Sequence, residues 1–288
     1  MPELPEVECV RLSLERLVVG RTVTAVRVSR SEVITGPAND QALLVGDKMS
    51  KVIRHGKQLA IVGRAGGCVC VHLGMSGQLC VTRPTLTKRL NVTSGSDLGD
   101  ELPAHTHVYW QLDDGLGLRF TDPRRFGGLW TFKDEQALFA RRWSSLGPDA
   151  LRITPGQLSQ GLKRTRRSLK AALLDQHIIA GLGNIYVDEL LFNAKLHPLM
   201  ASNELDRSQT HGLVRRIKTL LKGAIELGGS SLRDYVDADN QKGSQQSRHR
   251  VYGRGGQRCK RRGCSSIIHS EQIAGRTTAW CPSCQSMG

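Results

Sequence analysis

The spacing of apolar residues changes near residue 132, and this change constrains the fold more than any other feature. Between about residues 21 and 132 the chain carries short β-branched runs broken by Gly, Asp and Pro, such as TVTAVRV, KVI, QLAIV, CVCVHL, HVYWQL and GLGLRF. Such runs are typical of an antiparallel sandwich or barrel. Later apolar residues recur at helical spacing, as in NIYVDELLFNAKL and HGLVRRIKTLLKGAIELGG. The sequence therefore predicts an α+β chain with more than one domain.

A helix is predicted directly after the N-terminus, because Pro5 suits a first helical turn and Gly20 ends the apolar periodicity. With 288 residues the chain is long enough for two domains. We predict four segments: an N-terminal β-sandwich domain that includes this helix at 1–132, a linker at 133–153, a helical domain at 154–238, and a mobile loop with a terminal cysteine cluster at 239–288. The polar stretch from residue 84 to 104 is predicted to be a loop within the sandwich.

The net charge of +15 is concentrated in the C-terminal half. Residues 1–150 hold 19 basic and 16 acidic residues, whereas residues 151–288 hold 22 and 10. This excess favours a polyanionic partner, because neutralised phosphates release counterions; a solvated basic surface is the alternative. No apolar run reaches the roughly 18 residues of a membrane span, and the acids of MPELPEVE differ from a secretory signal. The expectation is a cytoplasmic protein with no membrane partner.

Four of the eight cysteines gather at the C-terminus with the spacing of a four-thiolate zinc site: Cys259, Cys264, Cys281 and Cys284. The surrounding segment is rich in Gly and Arg and has too few apolar residues to fold without a metal ion or another cross-link. We therefore predict one structural zinc ion; four metal-free thiols are the alternative. Cys68 and Cys70 alternate with valines and are expected to be reduced residues within a strand.

The opening Met1-Pro2-Glu3 could supply a reactive amine. Removal of Met1 would expose the secondary amine of Pro2, and an α-amino group has a pKa of about 8, well below that of lysine. The positive end of the helix that begins near Pro5 should lower that pKa further. A secondary amine that attacks a sugar aldehyde carbon forms a charged iminium, which can accept electrons during elimination. MPE is also a commonplace beginning, so these residues alone do not establish a nucleophile.

Seven motifs, in order across essentially the whole chain, carry a family resemblance: PELPEVE (2–8), HGKQL (55–59), HLGMSGQL (72–79), TDPRRFGG (121–128), GLGNIYVDELLF (181–192), VYGR (251–254) and the cysteine cluster. In them the chain resembles the formamidopyrimidine-DNA glycosylase and endonuclease VIII family. The resemblance implies a β-sandwich with a long N-terminal helix, a helical domain with a helix–two-turn–helix element, and a zinc-finger β-hairpin. It also implies a bacterial, nucleoid-associated monomer that binds damaged double-stranded DNA.

The resemblance further implies roles for residues near the reaction. Pro2 would attack C1′ of the damaged nucleotide and form a Schiff base, while Glu3 would protonate the sugar ring oxygen. Glu6 matches a supporting carboxylate, although an acid that complements the helix dipole is an equal alternative. Lys57 would hold the phosphates that flank the lesion; without its motif, an ordinary surface lysine is the better interpretation.

Other residues would bind DNA. Asn184, together with amides near Gly181 and Gly183, would hold the phosphate backbone at a helix start, and Arg276 matches a phosphate-binding arginine of the zinc hairpin. Either His105 or His107 corresponds to a family histidine near DNA. A final trio would fill the gap left by the extruded nucleotide, with ordinary turn and core positions as the alternative: Met75, Arg124 and Phe126.

The trio matches the residues of the branch of the family that removes oxidised purines, such as 8-oxoguanine or formamidopyrimidines. The resemblance implies that the enzyme then cleaves the strand by β- and δ-elimination. Two features depart from that branch. Residues 239–249 lack the aromatic residues usual in the loop that covers the extruded base, and the four residues between Cys259 and Cys264 exceed the usual two. An oxidised-pyrimidine glycosylase of the endonuclease VIII kind and a catalytically silent DNA-damage binding protein are the alternatives.

Overall fold

The structure, a computed structural model, describes residues 1–83, 102–231 and 235–287. The chain divides into two compact units. The first contains Met1–Pro2, Glu6–Trp143 and Ser230–Gly243, and the second contains Glu3–Pro5, Ser144–Gly229 and Ser244–Gly288. The predicted polar loop lies mainly at residues 84–101, outside the described residues.

Among its described residues, the first unit combines two α-helices with two β-sheets. Helix α1 (Leu4–Val18) buries the apolar residues Val7, Val10 and Leu14, as their helical spacing predicts. The strands, in chain order, are β1 (Val23–Val28), β2 (Ile34–Thr35), β3 (Met49–His55), β4 (Gln58–Gly63), β5 (Cys68–His72), β6 (Gln78–Thr82), β7 (Thr106–Leu112), β8 (Gly117–Thr121) and β9 (Gly128–Phe132).

One sheet has four strands in the order β1-β7-β8-β6, and the other has five in the order β2-β9-β5-β4-β3. All pairs are antiparallel except β2 with β9. Strand β5 is buried along both faces, including Cys68 and Cys70. Helix α2 (Glu135–Arg141) follows β9 and begins at Asp134, whose side chain accepts the Ala137 N–H.

The second unit is helical, with α3 (Pro155–Lys163), α4 (Leu169–Leu174), α5 (Asn184–Ala194) and α6 (Arg207–Glu226). Helices α3 and α6 start with capping boxes at Thr154 and Asp206, which satisfy amides that lack partners within the helix. Helix α5 is buried nearly all round, as expected for a helix at the centre of its unit.

A two-stranded hairpin, β10 (His269–Ile273) and β11 (Arg276–Trp280), lies close to the C-terminus. These elements confirm the predicted α+β class, with N-terminal β-sheets, a helical region and a hairpin beside the cysteine cluster. The unit boundary at Trp143 and Ser144 falls inside the predicted linker, while the exact domain limits and the mobility of 239–249 stay predictions. Within the described ranges, no helix has the length and apolar character that crossing a membrane requires.

Candidate active site and cysteine cluster

Glu3 is a buried carboxylate, 2% exposed, held at the N-terminus of α5. Its Oε2 accepts the Gly183 N–H at 2.7 Å, and its Oε1 accepts the Ile185 N–H at 2.8 Å. Both donors are among the amides that an α-helix leaves without internal partners. The helix end therefore stabilises negative charge on Glu3 and fixes the direction of its side chain.

Backbone contacts reinforce this arrangement. The Leu4 N–H donates to the Gly181 carbonyl at 3.0 Å, and Gly181 has a φ of +115° that favours glycine. A Cβ atom at Gly183 would lie 2.4 Å from Cδ of Glu3, so any other residue there would displace the Glu3 carboxylate. The Gly183 amide predicted to bind DNA is thus already engaged by Glu3. Pro2, which precedes Glu3, is buried in the first unit.

Glu6 connects α1 to the segment Ser230–Gly243 within the first unit. Its Oε1 accepts the Ser230 N–H at 2.7 Å, and its backbone carbonyl accepts the Tyr235 hydroxyl at 3.1 Å. Further along the segment, the Ser13 hydroxyl donates to Asp237 at 2.9 Å, and the Val81 N–H donates to the Ala238 carbonyl at 2.8 Å. Glu6 therefore has a structural partner beyond the helix dipole.

Lys57 lies in the two-residue turn between β3 and β4, after Gly56, whose φ is +58°. A hairpin turn of this length commonly places glycine at its first central position. Lys57 is 8% exposed. Burial, followed by the positive charges of Arg142 and Lys57, lowers the pKa of nearby His72 to about 4. The predicted phosphate-binding lysine is therefore close to a histidine that is neutral at neutral pH.

The predicted gap-filling trio lies on two adjoining loops of the first unit, 73–77 and 122–127. Met75 and Phe126 are 41% and 56% exposed, and the guanidinium of Arg124 lies 4.8 Å from the Phe126 ring centroid. Exposed apolar side chains beside an arginine are suited to entering a base stack. The ordinary-core alternative does not fit the exposure of Met75 and Phe126.

The two candidate histidines have different surroundings. His107 is buried, and its Nε2 lies 2.9 Å from the Asp122 carbonyl oxygen. His105 is exposed and has a φ of +62°. Exposure leaves the side chain of His105 accessible to DNA, whereas that of His107 is engaged inside the unit.

Asn184 and the strand of Arg276 are joined in the second unit. The Asn184 Nδ2 donates to the Thr277 carbonyl at 2.8 Å, while its buried Oδ1 has no hydrogen-bond partner among the described residues. Asp188 accepts from Lys170 Nζ at 2.6 Å and from the Ala279 N–H at 3.0 Å. Burial is the largest influence on this pair, raising the pKa of Asp188 to about 6 and lowering that of Lys170. These bonds attach β11, which begins with the exposed Arg276, to α5.

The four C-terminal cysteines converge, with all Sγ atoms within 4.8 Å of one another. The Cys264–Cys281 and Cys259–Cys284 sulfur pairs are 3.6 Å and 4.0 Å apart. A tetrahedral ion with metal–sulfur bonds of about 2.3 Å requires sulfur separations of about 3.8 Å. The Arg261 N–H also donates to the Cys259 sulfur at 3.4 Å, as suits a thiolate ligand. The cluster therefore fits a metal ion, and all eight cysteines of the chain, which lie within the described ranges, are free of disulfides.

Several buried acids that organise the site were not singled out in the sequence. Glu189 accepts the backbone N–H groups of Arg250, Val251 and Tyr252 at 2.8–2.9 Å, which explains the position of the VYGR motif. Asp188 and Glu189 are consecutive acids within the apolar run of α5, and this interruption was the available signal. Asp122, inside TDPRRFGG, is 0% exposed.

Comparisons with known proteins agree with this architecture. The profile of the formamidopyrimidine-DNA glycosylase N-terminal domain matches residues 1–129, and that of the formamidopyrimidine-DNA glycosylase H2TH domain matches residues 146–236. Formamidopyrimidine-DNA glycosylases of Cereibacter sphaeroides and Bacillus licheniformis are each 39% identical to this chain, covering 99% of it and 100% and 99% of their own lengths.

Solved structures show the same fold. The MutM (Fpg) protein of Thermus thermophilus has a TM-score of 0.83 at 35% identity, covering 100% of both chains. The Lactococcus lactis Fpg complex with abasic-site DNA has a TM-score of 0.85 at 31% identity, covering 99% of both chains. The fold and site thus define a DNA repair glycosylase. The chain belongs to the formamidopyrimidine-DNA glycosylase family.

Proposed function

We propose that the protein is a bifunctional DNA glycosylase and abasic-site lyase of base excision repair, which removes oxidised purines and cleaves the strand through a Schiff base on Pro2. The observation that carries this proposal is the fixation of Glu3 by the N-terminus of α5. An acid that a helix N-terminus holds rigidly, and that follows the candidate nucleophile directly in the chain, is suited to proton transfer during base removal. Related Lactococcus lactis structures contain abasic-site DNA and Fapy-dG DNA, which supports the substrate class.

In this reaction the Pro2 nitrogen, exposed by removal of Met1, attacks C1′ as the bond from C1′ to the base breaks. The departing base takes up a proton from water. The Glu3 carboxylate accepts the proton that the Pro2 nitrogen loses and passes it to the ring oxygen, which opens the sugar and leaves an iminium between C1′ and Pro2. Loss of a C2′ proton then breaks the C3′–O bond, and a second elimination breaks the C5′–O bond. Water finally hydrolyses the iminium and regenerates Pro2.

The other predicted residues would hold the DNA. Lys57, Asn184 and Arg276 are proposed to bind phosphates, and His105 fits a DNA contact better than His107 because it is exposed. Met75, Arg124 and Phe126 would fill the gap left by the extruded nucleotide. The cysteine cluster would hold one structural zinc, the ion that four thiolates in tetrahedral geometry favour. The acting species would be a monomer on double-stranded DNA in the cytoplasm of a bacterium, associated with the nucleoid.

Borohydride trapping tests the nucleophile. Protein whose mass confirms removal of Met1 should form a stable adduct with 8-oxoguanine and abasic duplexes, and the adduct should map to Pro2. Pro2→Gly should bind DNA but lose most activity, because a primary amine in a freer backbone is less well positioned. Glu3→Gln should impair base excision more than cleavage of an abasic site, which needs no departure of a base.

Lys57→Ala is the matched control, because Lys57 is the amine of the recognised motifs that could most readily mimic the nucleophile. It should weaken binding yet leave the Pro2 adduct detectable. An adduct that maps to Lys57 would overturn the mechanism. Efficient trapping with oxidised pyrimidines alone would indicate the endonuclease VIII type, and no adduct with any damaged duplex would indicate a silent binding protein.

A further inference from the structure

Asp122 is a buried acid without a basic partner. Its side chain is 0% exposed, and no lysine or arginine among residues 1–83, 102–231 and 235–287 forms an ion pair with it. A buried carboxylate without a counter-charge is costly unless hydrogen bonds satisfy it. Its hydrogen bonds therefore indicate what it does.

Those hydrogen bonds join the two loops that carry the trio. The Ser76 hydroxyl donates to Oδ1 of Asp122 at 2.6 Å, and the Gly127 N–H donates to Oδ2 at 2.7 Å. The Ser76 oxygen in turn accepts the Arg124 N–H at 3.2 Å. One carboxylate thus connects the residue after Met75 to the residue after Phe126, and through Ser76 to the backbone of Arg124.

The backbone of Asp122 extends the same connection. Its carbonyl accepts from the Arg125 N–H at 3.2 Å and contacts Nε2 of the buried His107 at 2.9 Å. Its N–H donates to the His105 carbonyl at 3.2 Å. Both histidines that sequence reasoning placed near DNA are therefore bonded to this one residue.

The loops also pack without space between them. A Cβ atom at Gly74 would lie 2.3 Å from the Gly127 nitrogen, and one at Gly127 would lie 2.5 Å from the His72 carbonyl oxygen. A small displacement of one loop must therefore displace the other. Arg125 has a φ of +56°, a conformation that a non-glycine residue keeps only where its surroundings impose it.

We infer that Asp122 is a positioning residue that sets the relative placement of Met75, Arg124 and Phe126, and thereby controls nucleotide extrusion and discrimination of the base opposite the lesion. This inference rests on the proposed function. Asp122 does not touch the substrate; it acts through the two loops. A misplacement of about 1 Å can cost roughly 100-fold in rate, so loosening the loops should affect the steps that depend on the trio.

The test compares Asp122→Ala, Asp122→Asn and Ser76→Ala with the wild type, and uses Asp113→Ala as a matched control in the exposed turn between β7 and β8. Asp122→Ala should lower excision of 8-oxoguanine opposite cytosine by roughly 10- to 100-fold and reduce the preference among the four opposite bases. Borohydride trapping on an abasic duplex should fall much less, because that nucleotide has no base to unstack. Asp113→Ala should match the wild type.

Asp122→Asn should restore most of the loss, since its Oδ1 can accept the Gly127 N–H while its amide donates to Ser76. The effects of Ser76→Ala and Asp122→Ala should be less than additive in a double-mutant cycle. Equal losses of excision and trapping, or unchanged opposite-base preference in Asp122→Ala, would overturn the inference. Failure of the wild type to form any adduct would instead overturn the proposed function, so the two failures are distinguishable.

Discussion

His72, near the candidate phosphate-binding lysine, has a lowered pKa in the first unit. Burial is the largest cause of its lowered pKa, the charges of Arg142 and Lys57 act in the same direction, and Asp122 partly opposes them. The neutral imidazole is therefore the form that the folded protein favours. In the unfolded chain the same residue takes up a proton at the ordinary pKa of 6.5.

This difference predicts acid sensitivity. Between pH 6.5 and 4 the unfolded state binds more protons at His72 than the folded state, so the free energy of unfolding should fall as the pH is lowered through this window, by at most about 3 kcal/mol. Urea unfolding at pH 7.5 and 4.5 should show a smaller pH dependence in His72→Gln than in the wild type. His211→Gln, at an exposed position of α6, is the control and should behave as wild type. An unchanged pH dependence in His72→Gln would contradict the assignment.

Among the elements, the β10–β11 hairpin has a strained turn. Ile273 pairs with Arg276 across it, and the two central residues, Ala274 and Gly275, have φ values of +52° and +67°. Turns with two positive φ values suit the twist of a hairpin but prefer Asn or Gly at the first central position. Alanine in this conformation costs about 1–2 kcal/mol.

Ala274→Asn should therefore stabilise the hairpin by about 0.5–1 kcal/mol. Amide hydrogen exchange in β10 and β11 of the zinc-loaded protein would measure the gain as slower exchange. Ala274→Val is the matched control with the opposite expected effect. It should make exchange faster, because a β-branched residue tolerates positive φ poorly. Slower exchange in both variants, or in neither, would be inconsistent with strain at this turn.

At the scale of the whole molecule, the helical unit has an apolar core to which helices α3, α4, α5 and α6 contribute buried residues. The hairpin and cysteine cluster share a small core whose buried members are Phe192, Val251, Cys259, Ile268, Ala279 and Cys281. So small a core contributes little to the stability of a charged segment, which a bound metal would supplement. The stability of the hairpin should therefore depend on zinc, and that of the sheets should not.

Metal analysis should find about one zinc per chain. Chelation or Cys281→Ser should abolish exchange protection in β11 and weaken binding of undamaged duplex, while protection in β4 and β5 is retained. Cys68→Ala, a change at a buried cysteine of β5, should leave the zinc content unchanged. Normal DNA binding by metal-free protein would contradict this division of roles.

Features that depend on local sequence could be predicted, whereas contacts between distant parts of the chain could not. Helices and strands follow from local periodicity, and the cysteine cluster follows from spacing, so both were predictable. The partners of Glu3 lie 180 and 182 residues away, and nothing in either segment specifies their pairing. Asp122 and Ser76 are 46 residues apart; each lies inside a recognised motif, but their bond exists only because β-strand pairing brings the two loops together.

The close approach of Gly183 to Glu3 limits which substitutions these two positions can tolerate. A side chain at position 183 would collide with the carboxyl group of Glu3, so the residue at position 183 constrains the side chain that position 3 can carry. A mutational scan should find substitutions of Gly183 harmful although this residue contributes no side chain. A smaller residue at position 3 would make room for a side chain at position 183, but it would remove the proposed acid.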